Sequence, residues 1–258
     1  MSITFAIFWI IVVLANLTEA IAGFGSTILS LTLGAQFYPM EGLVPVLVPL
    51  NLALSGVLVF KYHRDVNWPQ LRTRILPFTA LGLPIGLAAF VFVPGRPVKI
   101  AFGVIVLLLA TLQLGQLWRS RRMRSSLALS DSTTGRARPW TLIESCLYLV
   151  AGGIMQGLYA SGGPFVVYYS SRAIADKSAF RSTLCVLWLI LNSVVCITLV
   201  CTGKITFETL RTAALLLPAV LLGMILGDRL HSRISEQAFR VGVYLLLALS
   251  GASLIFRN

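Results

Sequence analysis

The sequence predicts an all-α polytopic membrane protein. It reads as two inverted repeats of about four hydrophobic segments each, the first segment of each half being a glycine-broken helical hairpin. Three observations carry this. The chain is 57% hydrophobic and only 12% charged, whereas a soluble domain carries roughly a quarter charged residues, so the surplus apolar surface must face something other than water. Several apolar runs are long enough to cross about 30 Å of hydrocarbon as helices. Finally, the stretch Leu17–Leu33, LTEAIAGFGSTILSLTL, is interrupted by Gly23 and Gly25 and has a counterpart in the second half, Ile154–Tyr169, IMQGLYASGGPFVVYY. There Gly162, Gly163 and Pro164 break the run, and Gln156 stands where Glu19 stood.

In chain order the first repeat, 1–118, has hydrophobic segments at roughly 3–36, 43–60, 73–93 and 98–118. Residues 119–140 are polar, basic and rich in Ser and Thr, and read as a cytoplasmic surface linker. The second repeat, 141–258, has segments at roughly 140–171, 182–202, 208–228 and 237–256. The N-terminus lacks the basic n-region of a signal peptide, so the first segment is expected to stay in the mature protein. The net charge of +12 sits in short loops, where it sets orientation; nucleic acid is not an expected partner. Cys146, Cys185, Cys196 and Cys201 lie in apolar runs without metal-ligand spacing and read as small packing residues. Neither a metal nor a cofactor is expected.

The halves repeat in order as well as in composition. Pro77, Gly82 and Gly86 give P-x4-G-x3-G in the third segment, and Pro218, Gly223 and Gly227 give it again in the seventh. Asn51 and Asn192 are separated by the same stretch of chain as Pro77 and Pro218, and Ala101-Phe102 recurs as Ala238-Phe239. Small residues four apart suit close helix packing in a membrane.

Orientation follows from counting Lys and Arg. If all eight segments cross once and the linker is cytoplasmic, 13 of the 21 lie inside. If segments one and five return to the side they entered, 16 lie inside, and only Arg96, Lys99, Lys204, Arg211 and Arg257 remain outside. The positive-inside rule prefers the second arrangement. Segments of some 32 residues would be about 48 Å long as straight helices, more than one crossing needs. Breaks at membrane depth must be buried in protein or line a water-filled cavity, which places both inside the bundle.

At the breaks, helix N-termini present unpaired N–H groups and partial positive charge, and glycine lets a ligand approach the backbone. Gly23, Phe24, Gly25 and Ser26 at one break, with Tyr159, Ser161, Gly162 and Gly163 at the other, are the candidate binding residues for a small oxyanion. Pro164 suits a first helical turn. Glu19 is the carboxylate deep in the first half's apolar runs; it is a candidate coupling-proton carrier or a hydrogen-bond partner for backbone freed at the break. Gln156 holds the matching place, and Asn51 and Asn192 either bond between helices or line the cavity. Arg172, Lys177 and Arg181 are an orientation signal that also draws anions to the cytoplasmic mouth. His63 and His231 sit in basic loops, and there is no HExxH, P-loop, nucleophile elbow or CxxC, so an enzyme is not expected.

With these residues the sequence resembles the sulfite exporter TauE/SafE family, small transporters with two homologous halves. The resemblance rests on AGFGS at 22–26, SGGP at 161–164, SAFRSTL at 178–184 and the pairs Gly82/Gly86 and Gly223/Gly227, and covers nearly the whole chain. GFGST at the first break replaces the usual glycine cluster, and VPVLVPLN at 44–51 lacks the usual small polar patch. The resemblance implies transport of a sulfur oxyanion or sulfonate (sulfite, thiosulfate or an organosulfonate), usually across the bacterial inner membrane. A secondary transporter is the first reading, an anion channel without alternating access the alternative. The oligomeric state stays open, a homodimer included.

Overall fold

The computed structural model describes residues 3–22, 25–93, 95–127 and 141–230, and beyond them 241, 245, 247–249, 251–253 and 255. Helices α1 (Ile3–Ala22) and α2 (Ser26–Gly34) precede α3 (Met40–Tyr62). The short α4 (Trp68–Gln70) passes through a π-helical turn at Leu71–Ile75 into α5 (Leu76–Phe92), and α6 (Gly95–Leu127) closes the first half. Helices α7 (Leu142–Tyr159), α8 (Gly163–Ala173), α9 (Lys177–Cys201) and α10 (Phe207–Leu230) follow. Among the described residues, six helical runs are long and apolar enough to cross a membrane: those of α1, α3, α4–α5, α7, α9 and α10.

Local signals explain where these helices begin. Thr141 and Glu144 form a reciprocal capping box at the start of α7. The Asp176 carboxylate accepts from Ala179 N–H at 2.6 Å, so α9 begins at Lys177, earlier than the apolar run at 182 predicts. Asn67 likewise accepts from Gln70 N–H at 3.1 Å, and Pro69 sits in the first turn, which starts the third span at Trp68 and not near 73. α6 continues to Leu127, so residues 119–127 of the expected linker are helical; Arg, Met and Leu there are good helix formers. The rest of that linker, and most of the eighth segment at 237–256, lie outside the described residues.

Leu81, Ile85, Ile143, Leu147 and Ile197 are exposed, as a lipid-facing surface requires, while Asn16, Thr18, Thr79, Gln156 and Asn192 are buried. Some of these polar groups return to their own helix: Asn16 donates to Val12 O, Thr18 to Leu14 O and Thr79 to Ile75 O.

The paired glycines bring helix backbones together. A Cβ on Gly82 would lie 2.1 Å from Val150 O, and one on Gly86 2.1 Å from Ile154 O. In the other half a Cβ on Gly223 would lie 2.4 Å from Val13 O, and one on Gly227 2.8 Å from Leu17 O. Val13 and Leu17 correspond to Val150 and Ile154 in the same register that pairs Glu19 with Gln156. Each glycine helix therefore packs on the first helix of the opposite half, at matching residues, and in both pairs the two helices run in the same direction. α3 and α9 pack across the middle.

Contacts at the ends sort the loops. Ser178 Oγ donates to the Asp65 carboxylate at 2.5 Å, and Asn67 N–H to Thr183 Oγ1 at 2.9 Å, so the 63–67 and 174–178 connections share one end of the bundle. Lys204 Nζ lies 4.9 Å from the centre of the Phe90 ring, at the other end. α2 packs along α1, and Gly34 lies against the ring of Phe8 near the start of α1. Tyr148 and Tyr168 pair in the same way between α7 and α8, their rings 5.2 Å apart.

Candidate functional site

Both interruptions fall where glycines crowd the sequence, and each is braced by a side chain of the helix before it. At the first, Gly25 has φ 110°, a backbone conformation that glycine adopts freely. Ser26 then opens α2, and its N–H donates to Glu19 Oε2 at 3.1 Å. That N–H has no partner within its own helix, so Glu19 caps α2 from one turn before the end of α1. At the second, Ala160 carries the positive φ, 49°, while Gly162 has an ordinary φ of −71°. Gly162 N–H donates to Gln156 Oε1 at 2.9 Å, and Gln156 Nε2 donates to Asn192 Oδ1 at 2.8 Å. Asn51 Nδ2, at the matching place in the first half, donates to Thr27 Oγ1 at 2.8 Å. Asn51 and Asn192 each bond to another helix, and each lines the cavity below.

Between the interruptions lies a cavity of about 50 Å³, room for a few waters or a small oxyanion. Gly25, Thr27 and Asn51 line it from the first half; Gln156, Ala160, Ser161, Gly163 and Asn192 line it from the second. Glu19, Ser55 and Trp188 stand on the wall shared with a second cavity of about 40 Å³, which reaches Arg181.

The family described as Sulfite exporter TauE/SafE matches residues 8–254 of this chain. The chain belongs to the sulfite exporter TauE/SafE family. It is 28% identical over 200 residues to the probable inner membrane transporter protein TsaS of Comamonas testosteroni, covering 74% of this chain and 76% of that protein. No solved structure matches it. As a TauE/SafE protein it is a membrane transporter and not an enzyme, and the family match runs across both interruptions and the cavity between them.

Several residues expected at the site are at the cavity: Glu19, Gly25, Asn51, Gln156, Ser161, Gly163 and Asn192. Tyr159 is not among its lining; its buried ring packs on Phe102, with centroids 4.4 Å apart. Gly162 faces protein: a Cβ there would lie 2.4 Å from Gly152 O. Ser26 contributes its backbone to the Glu19 brace, and its neighbour Thr27 is the lining residue. Gly23 and Phe24 lie outside the described residues. One donor expected to face a ligand at each break, Ser26 N–H or Gly162 N–H, is already engaged by a side chain. Ser55 and Trp188 were missed. Their signal was helix spacing, since Ser55 is four residues after Asn51 and Trp188 four before Asn192.

Proposed function

We propose that this TauE/SafE protein is a secondary transporter that carries a small sulfur-containing anion across a bacterial inner membrane. Sulfite, thiosulfate and organosulfonates are the substrate class, and the anion sits between two glycine-broken helix tips near the bilayer midplane. The observation that carries this reading is the 50 Å³ cavity lined from both interruptions and from the buried amides Gln156 and Asn192. The family description and the name of the C. testosteroni relative support the substrate class and the membrane. The donors left to an anion are hydroxyls, amides and backbone of residues such as Thr27, Ser161 and Gly163, a neutral set that suits an oxyanion which must also leave.

Inverted repeats support alternating access. α10 runs alongside α1 and α5 alongside α7, while Lys204, just before α10, lies on Phe90 at the end of α5. α5 and α10 therefore run oppositely, and so do α1 and α7. The packing of two short arms, α2 on α1 and α8 on α7, supports the hairpins that the Lys and Arg count prefers. Glu19, ionisable and on the cavity wall, is the candidate carrier of a coupling proton.

The test is flux in proteoliposomes over sulfite, thiosulfate, sulfate and a sulfonate, with and without a pH gradient. Saturable flux of a sulfur anion, driven uphill by the gradient, is expected. Flux that never saturates and ignores the gradient would make the protein a channel, and absence of flux for all four would remove the substrate class.

A further inference from the structure

The second cavity, of about 40 Å³, continues the central one toward one end of the bundle. Arg181, Cys185, Trp188 and Asn192 follow one another at spacings of four, three and four on α9, a single helix face. Asn192 lines the central cavity, Trp188 both, and Cys185 and Arg181 the second. Across from them Asn51, Ser55 and Leu58 make the same progression along α3. The stripe leads to the end of α9 where Ser178 meets Asp65, the end that gathers Arg64, Arg72, Arg172 and Lys177.

Arg172 is directed elsewhere, its guanidinium 4.6 Å from the centre of the Tyr168 ring. Arg181 shares the second cavity with Glu19. The matching place in the opposite half carries no charge. In the register that pairs Asn51 with Asn192, Met40 is the counterpart of Arg181, Val44 of Cys185 and Leu47 of Trp188, and all three are buried.

We propose that the second cavity is a vestibular anion site on the basic-loop side, in which Arg181 binds the oxyanion before it passes Trp188 into the central cavity. This rests on the transport reading above. A guanidinium offers paired N–H donors in a planar fork that matches two oxygens of a sulfite or sulfonate group. Ser55 adds a hydroxyl, and Asn16 adds an amide that uses one of its two N–H donors on Val12 O. Because Met40 is the counterpart on the far side, the site makes transport asymmetric, with higher affinity from the basic-loop side.

The experiment compares wild type, Arg181→Gln and Arg181→Lys in vesicles of both orientations, each protein first matched by melting profile. Wild-type flux from both sides establishes transport. Arg181→Gln is expected to raise KM about tenfold for anion presented on the basic-loop side, the scale of a charge-assisted hydrogen bond, with KM from the opposite side within about twofold. Arg181→Lys, which keeps the charge, is expected to recover most of the loss. An equal rise from both sides, or none from either, overturns the vestibular site while leaving the transporter reading intact; wild type without flux removes both. A second measurement needs no variant: benzenesulfonate should slow alkylation of Cys185 by iodoacetamide in folded wild type, followed by peptide mass. An unchanged rate at saturating sulfonate would also overturn the site.

Discussion

Glu19 and Gln156, at matching places in the two halves, each turn a side-chain oxygen onto a backbone N–H at the interruption that follows: Ser26 N–H at 3.1 Å and Gly162 N–H at 2.9 Å. The brace needs only an acceptor, which a carboxylate and an amide both supply. Glu19→Gln is therefore expected to melt within a few degrees of wild type, whereas Glu19→Leu leaves the Ser26 N–H unpaired at a cost of about 1–3 kcal/mol. If Glu19 also carries the coupling proton, Glu19→Gln keeps anion binding but loses flux driven by a pH gradient. Gradient-driven flux equal to wild type in the folded variant would confine Glu19 to the brace.

Gln156 serves two partners at once, Gly162 N–H and Asn192 Oδ1. Gln156→Leu strips both, so it is expected to destabilise more than Asn192→Leu, by about 1 kcal/mol or more. The double variant should fall short of the sum of the two single effects, because they share one bond. Full additivity in denaturation of the purified proteins would mean that the Gln156–Asn192 bond contributes nothing in the membrane.

The two break glycines separate packing from function. A side chain at Gly162 meets Gly152 O, so Gly162→Val is expected to cut folded yield first. At Gly25 a Cβ meets nothing within 4 Å, and the cost is the φ of 110°, about 1–2 kcal/mol for a non-glycine residue. Gly25→Ala should thus fold, with a modestly lowered melting temperature, and lose anion transport out of proportion. Normal transport kinetics in a folded Gly25→Ala protein would take that tip out of the binding site.

The helix crossings give a paired test. Gly82→Val and Gly223→Val place side chains 2.1 Å and 2.4 Å from the carbonyls of Val150 and Val13, so both should lower yield and thermal stability, and to similar degrees. A variant of either that melts like wild type would contradict the close approach of the backbones.

Single cysteines at Ser130 and Ser178 are expected to react with an impermeant thiol reagent from one face of the membrane, and cysteines at Lys204 and Asn258 from the other. Reaction of positions 130 and 178 from opposite faces would overturn the proposed inverted-repeat arrangement.

The sequence by itself determined the class and the location of both helix interruptions, and it singled out most of the polar residues that line the cavity. These follow from local and additive properties: apolar length, glycine and proline in an apolar run, the sign of loop charge, and a shared order of residues. The family resemblance was legible for the same reason, since it is a pattern of small residues in order. The tertiary structure decided which way each of these residues looks. Gly162 and Tyr159 carry the same local signal as Gly163 and Ser161, yet Gly162 meets the α7 backbone and Tyr159 meets Phe102. The positive φ falls on Ala160, which no propensity singles out. Glu19 and Gln156 were equally legible as ligands or as braces until the return helices were set against them. Arg181 was one of three cations in a basic loop until α3 and α9 packed face to face and aligned it with Ser55, Trp188 and the cavity. Facing and pairing depend on how distant helices dock. That docking is set by close-packed backbones at Gly82, Gly86, Gly223 and Gly227, contacts between residues far apart in the chain that no local pattern encodes.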